Sequence, residues 1–349
     1  VNKYKLGLVF GGQSAEHEIS LLSAENVASS LNPDLYDLVY LYIDKQGKWT
    51  KFSQFPEAEM LRKTESNHFS ISAEVLEIMQ ECDIVFPVLH GPCGEDGTIQ
   101  GLFELINLPY AGCNYRSSAI SMDKVLSKRL VGESGVRTAA FVAVKHYEWT
   151  KQKLEVCRKV YETLTFPVFV KAAHLGSSVG VYKVENPEEL DQAVTAVFSV
   201  DNELLVEEAI VGRELEFALI GNEDAKALPP GEVLTTGAFY DYEKKYGAGG
   251  FKTVHSVDLP DEEIKKGMRL AETCYRAIGC DGMARVDFFY TPEGGFCFNE
   301  INPIPGFTSI SLYPKLFEYH GVSFNELLDR LIILGLNRQR HKLRAMSIS

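Results

Sequence analysis

The chain predicts an α/β domain on a parallel sheet, followed by units of mixed α+β class. Two observations carry this expectation. The first third alternates short apolar strands with helically spaced segments, an order that gives a parallel sheet covered by helices. The last third holds a strand, a Pro/Gly turn and a second strand with aromatic and β-branched flanks, which reads as an antiparallel hairpin.

Taken in order, Lys5 to Phe10 is an apolar strand ending in Gly11-Gly12. Glu16 to Leu31 has helical spacing, Tyr36 to Ile43 reads as a strand, and Ala73 to Glu81 as a helix. Asp83 to Leu89 is a buried strand ending at His90-Gly91, and Gly97 to Ile106 is a helix. Ligands of such sheets bind beyond the C-terminal strand ends, so Gly11-Gly12 and His90-Gly91 are expected to converge on one site. A second unit begins near Lys124. It contains helices at Lys124–Gly135 and Tyr147–Leu164, strands at Arg137–Val144, Pro167–Lys171 and Leu204–Glu208, and a turn at Gly176-Ser177-Ser178. A third unit opens near Gly212 with a long strand. It continues through a polar, Gly- and Tyr-rich loop from Thr235 to Lys252 and a helix over Asp261–Ile278 capped by Gly279. The expected units are therefore residues 1–122, 123–212 and 213–349. The loop is long for a compact domain, and its glycines leave it conformationally free, so a lid over bound ligand is expected.

Composition narrows the function. The formal net charge of −13 argues against general nucleic-acid or membrane binding. No apolar run approaches transmembrane length, and the N-terminus does not read as a signal peptide. The seven scattered cysteines read as reduced, mostly buried thiols of a cytoplasmic protein.

The chemistry concentrates in a few segments. With the hairpin turn centred on Glu293-Gly294, Phe289 faces Phe298, Asp287 faces Glu300 and Arg285 faces Asn302, all on one side. Facing acids destabilise a sheet, and two carboxylates with an amide oxygen suit magnesium that also binds phosphate. A solvated acidic pair is the alternative. Lys171 precedes Gly176-Ser177-Ser178-Val179-Gly180, which is either a phosphate-cradling turn or a plain hairpin. Glu207, Glu208 and Glu214 stand at strand ends, where acids meet nucleoside groups or simply water. There is no P-loop and no dinucleotide fingerprint.

Several segments in sequence resemble the D-alanine–D-alanine ligase family. They are Phe10-Gly11-Gly12-Gln13-Ser14-Ala15-Glu16-His17-Glu18-Ile19-Ser20, His90-Gly91 with Gly94-Glu95-Asp96-Gly97, Met122-Asp123-Lys124 and Gly176 to Gly180. Phe239-Tyr240-Asp241-Tyr242 with Lys245-Tyr246, Arg285-Val286-Asp287, and Asn299-Glu300-Ile301-Asn302 with Pro305-Gly306-Phe307-Thr308 continue the match to about residue 335. The resemblance implies an N-terminal α/β domain followed by a two-part ATP-grasp fold. It implies ATP and two Mg²⁺ (or Mn²⁺) as cofactors, two D-alanines as substrates, and a homodimer.

The resemblance also implies roles. Lys124 and Lys171 would contact ATP phosphates and the adenine edge, Glu207 the adenine amino group, Glu214 the ribose, and Lys245 the γ-phosphate. Asp287, Glu300 and Asn302 would hold the metals. Glu16 would bind the first D-alanine's ammonium, linked through Ser177 to Tyr246, with His90 beside that substrate. Arg285 and the Gly306 N–H would form an oxyanion hole. Ser311 and the Leu312 N–H would hold the second D-alanine's carboxylate. A carboxylate activated as an acyl phosphate and attacked by an amine needs phosphate clamps and oxyanion donors, not a nucleophilic serine. Ala172, Pro92-Cys93, Pro303 and His255 to Asp258 depart from the family pattern, and none removes a proposed catalytic group. The rival readings are another ATP-grasp carboxylate–amine ligase and a non-catalytic nucleotide-binding regulator.

Overall fold

The computed structural model describes residues 3–64, 66–234 and 252–346. The expected lid, with Lys245 and Tyr246, lies outside the described residues apart from Lys252.

The first sheet comprises β1 (Tyr4–Gly11), β2 (Tyr36–Ile43), β3 (Trp49–Phe52) and β4 (Ile84–Pro87), in the order β3-β2-β1-β4. β1 runs parallel to both β2 and β4, as the strand–helix alternation predicts. β3 is an addition, antiparallel to β2. An Asx turn folds it back, with Asp44 Oδ1 accepting from Gln46 N at 2.9 Å and Lys48 N at 2.8 Å. The helix His17–Ser30 packs on this sheet through Ala24 and Val27.

The second sheet is antiparallel, with β5 (Phe141–Lys145), β6 (Val168–Ala172), β7 (Val181–Val184) and β8 (Glu203–Glu208) in the order β5-β8-β6-β7. Helices His146–Thr163 and Leu190–Phe198 share an aliphatic core with it, built on Val142, Val168, Val170, Val194 and Val206.

The third sheet holds β9 (Arg213–Ile220), β10 (Lys226–Ala227), β11 (Gly231–Leu234), β12 (Lys252–Val254), β13 (Met283–Thr291) and β14 (Gly295–Asn302). Its order is β12-β11-β9-β13-β14, with β10 beside β9. The helix Asp261–Ile278 backs it and ends at Gly279 with φ 77°, the left-handed cap expected there.

The hairpin register needs one correction. Arg285 pairs with Asn302 and Asp287 with Glu300, as predicted. Phe298, however, pairs with Phe288 and not with Phe289, because a β-bulge shifts the register after Asp287. The physical reason is burial. Continuous pairing would set Phe298 on the acidic face, whereas the bulge sends it into the core beside Phe288, and both are fully buried.

The C-terminal helices Leu312–Tyr319 and Phe324–Met346 do not stay with the third sheet alone. Leu316, Leu327, Leu328 and Leu331 join Leu6, Leu8 and Phe10 of β1 in one core. Arg338 stacks over Tyr110 with its guanidinium 4.2 Å from the ring centroid and donates to Tyr110 O at 2.8 Å.

Candidate active site

Two cavities of about 460 and 1040 Å³ adjoin where the three sheets meet. They share Lys124, Gly176, Ser177, Glu214, Val233 and Glu300 in their walls. The smaller cavity adds Lys171, Glu207 and Phe289; the larger adds Glu16, His90, Arg285, Asp287, Asn302, Gly306, Ser311 and Leu312. Every expected site residue within the described chain therefore lies on one of these two connected walls.

The two strand ends do converge. Gly11 has φ 94°, and a Cβ there would meet Ile43 O at 2.1 Å, so only glycine fits that exit from β1. Ser14 Oγ donates to His90 O at 2.6 Å, and Ser20 Oγ joins Gly11 N at 2.8 Å to Val88 O at 2.5 Å. Glu16 stands at the helix N-cap, but its side chain makes no capping bond. Its carboxylate instead faces the glycine turns. A Cβ at Gly91 would lie 3.0 Å from Glu16 Oε2, and one at Gly176 would lie 3.8 Å away. The Gly176–Gly180 turn, with Ser177 at φ 51°, thus closes on Glu16 from the second sheet.

His90 is buried, with Nε2 at 3.1 Å from Ser23 Oγ. Burial holds its pKa below the ordinary imidazole value, against the pull of Glu16. Beside it, Glu95 accepts from Gly91 N at 2.6 Å. Burial and then the Glu16 charge push the Glu95 carboxyl up to about 8. Glu95 lies within the quoted Gly94–Gly97 motif, yet sequence reasoning gave it no role.

The hairpin forms the floor. Arg285 donates through Nε to Asp287 Oδ1 at 2.8 Å and through Nη2 to Asp287 Oδ2 at 2.7 Å. Asn302 Nδ2 donates to Asp287 Oδ2 at 3.0 Å. Glu216 of β9, which pairs with Asp287 across the sheet, reaches Arg285 Nε at 3.1 Å. Burial works against the Arg285 charge, but Asp287 and then Glu216 outweigh it and raise its pKa well above the ordinary value. Glu216 was missed in the sequence. Its signal was period-2 spacing from Glu214 on one strand.

Two lysines, Lys124 and Lys171, line the smaller cavity. Lys171 bonds Glu207 Oε1, and Lys128 lies 3.0 Å from Glu207 Oε2. Burial would raise the Glu207 pKa, yet Lys128 and then Lys171 overcome it and bring the carboxyl down to about 2. Lys124 Nζ donates to Leu175 O, and burial lowers its pKa. At the opposite end, Ser311 Oγ accepts from Thr308 N at 3.0 Å, and Leu312 opens the helix behind it.

The donor set suits a hard cation. Asp287, Glu300 and Asn302 all line the larger cavity, and Glu300 lines the smaller one as well. Among the described residues no three His, Cys, Asp or Glu side chains form a metal cage. Phosphate oxygens and water would have to complete the shell, which is how magnesium is usually held.

Two antiparallel sheets closing a lysine-walled cavity behind an α/β domain define the ATP-grasp class. The chain belongs to the D-alanine–D-alanine ligase family. Its residues 5–113 match "D-ala D-ala ligase N-terminus" and 130–333 match "D-ala D-ala ligase C-terminus". The D-alanine–D-alanine ligase of Chlorobium phaeovibrioides is 43% identical over 352 residues, covering 96% of this chain and 98% of that protein. The VanG D-Ala:D-Ser ligase of Enterococcus faecalis aligns with a TM-score of 0.83 at 35% identity, over 96% of this chain and 100% of its own. The D-alanine–D-alanine ligase of Bacillus anthracis, solved with ATP, aligns with a TM-score of 0.78 at 27% identity, over 98% of this chain and 100% of its own.

Proposed function

We propose that the chain joins two D-alanines into D-alanyl-D-alanine for peptidoglycan precursor synthesis, with ATP converted to ADP and phosphate. The observation that supports this reading is the shared wall of the two cavities, across which a nucleotide's phosphate end in one would meet an amino acid in the other. The smaller cavity takes ATP, with Lys124 and Lys171 on the phosphates and adenine edge, Glu207 on the adenine amino group and Glu214 on the ribose. Asp287, Glu300 and Asn302 would hold two Mg²⁺ (or Mn²⁺), which would supply charge neutralisation for the phosphates.

In the larger cavity Glu16 fixes the ammonium of the first D-alanine, with Ser177 and His90 beside it. Its carboxylate attacks the γ-phosphorus, giving a D-alanyl phosphate and ADP. Ser311 and the Leu312 N–H, at a helix N-terminus, hold the carboxylate of the second D-alanine. Its amine adds to the acyl carbon, and Arg285 with the Gly306 N–H stabilises the oxyanion before phosphate leaves. Lys245 and Tyr246, outside the described residues, carry the γ-phosphate and pocket-closing roles by resemblance alone.

ADP release measured with D-alanine, L-alanine, D-serine and D-lactate tests this reading. D-alanine alone should support full turnover, and turnover with D-serine or D-lactate but not D-alanine as acceptor would overturn the product assignment. Two further proposals follow from the family. The protein is a homodimer, tested by light scattering. It works in the cytoplasm, tested by fractionation. Among the described residues no helix is long and apolar enough to cross a membrane.

A further inference from the structure

We propose that Lys128 is a positioning residue that holds Glu207 as an acceptor and thereby sets the choice of nucleobase. The inference rests on the reading of Glu207 as the adenine contact.

Lys128 is 2% exposed, a rarity for lysine without a dedicated partner. It sits one turn after Lys124 in the helix Lys124–Glu133, where like charges four apart repel. Its ammonium lies 3.0 Å from Glu207 Oε2 and 5.9 Å from the Phe298 ring centroid. That approach sets a buried positive charge directly against Oε2, on the carboxylate oxygen that Lys171 does not bond.

The two lysines on Glu207 differ in access. Lys171 lines the nucleotide cavity, whereas Lys128 does not. Lys171 can therefore turn to a ligand, and Lys128 stays as the constant counter-ion. A carboxylate kept ionised accepts hydrogen bonds and cannot donate them. It welcomes a 6-amino purine and repels a 6-oxo purine. Without Lys128, a buried Glu207 that loses Lys171 to the ligand would favour its protonated form, which can donate to an oxo group.

The test compares ATP with inosine triphosphate as co-substrate for D-alanine in the full chain. Lys128→Met should raise KM for ATP by about tenfold or more, the scale of one hydrogen bond to a charged group. It should lower kcat less than it raises KM, and it should narrow the preference for ATP over inosine triphosphate by a similar factor. Lys128→Gln should behave the same way, because it keeps a donor and loses the charge; full rescue by Gln would overturn the proposal. Glu207→Gln separates the two readings. If it leaves the nucleotide preference unchanged, the adenine role of Glu207 fails. If it narrows the preference while Lys128→Met does not, only the inference about Lys128 fails. The double variant removes both charges together and should fold, with no loss of preference beyond Glu207→Gln alone.

Discussion

Arg285 and Asp287, two residues apart on β13, face the same side of the sheet and join through two parallel hydrogen bonds of 2.8 and 2.7 Å. The paired arrangement places the proposed oxyanion donor and a proposed metal ligand in one rigid unit, with Glu216 as a second anchor at 3.1 Å. Arg285→Gln should lower kcat by roughly 10²–10³-fold, the usual loss for one oxyanion donor. KM for ATP should change far less. The same variant strands Asp287 and Glu216 in the interior, so unfolding free energy should fall by about 3 kcal/mol. Steady-state kinetics and a denaturant melt check both halves; a change confined to KM would place Arg285 in ground-state binding.

Glu300 faces Asp287 across the hairpin and lines both cavities. Glu300→Gln should abolish turnover while leaving the melting temperature near that of the parent, because it relieves the acidic pair. Near-normal activity at low Mg²⁺ would sink the metal assignment.

Gly306 has little room for a side chain, since a Cβ would come within 2.6 Å of Ser311 Oγ. Gly306→Ala should push the serine hydroxyl off Thr308 and disturb the proposed carboxylate site. The expected signature is a higher KM for the second D-alanine with KM for ATP unchanged. A shift in KM for ATP instead would show that this loop does not serve the acceptor.

His174 bridges Asp123, which caps the helix carrying Lys124, and Asp201. Hydrogen bonds to Asp123 and then Asp201 raise its pKa from 6.5 to about 10. A raised pKa means that the protonated form is favoured by folding. Its stabilisation is complete below the unfolded value of 6.5 and is lost as pH rises through about 10. The site is half-exposed, so solvent screening makes the effect smaller than that rise alone would imply. The melting-temperature gap between parent and His174→Gln should be widest near pH 6 and close by pH 10. A gap independent of pH would show that charge is not its source.

The sequence disclosed the site better than its supports. Gly11, Gly12, His90 and Gly91 were legible because strand ends and glycines mark ligand positions in parallel sheets. Arg285, Asp287, Glu300 and Asn302 were legible because period-2 alternation counts outward from a turn. That count failed at Phe298, since a bulge answers to the packing of Phe288 and Phe296 and leaves no local signature. Lys128 and Glu216 were hidden for a related reason. Each pairs with a residue distant in the chain, Glu207 and Arg285 respectively, and only the tertiary fold brings them together. β3 was missed because an Asx turn and four residues give little periodicity to read.

The helix Phe324–Met346 packs its Leu327, Leu328 and Leu331 against Leu6, Leu8 and Phe10. During synthesis on the ribosome, the strand that leads to Glu16 emerges some three hundred residues before the side chains that complete the cover of one of its faces. Until they arrive, the part of that face beyond the cover of Ala24 and Val27 remains open to water or to chaperones. The larger cavity, proposed to take the amino acids, therefore cannot mature domain by domain as the chain emerges. Its completion waits for Leu327, Leu328 and Leu331, and a nascent chain long enough to contain every proposed catalytic residue still lacks part of the core beneath Glu16.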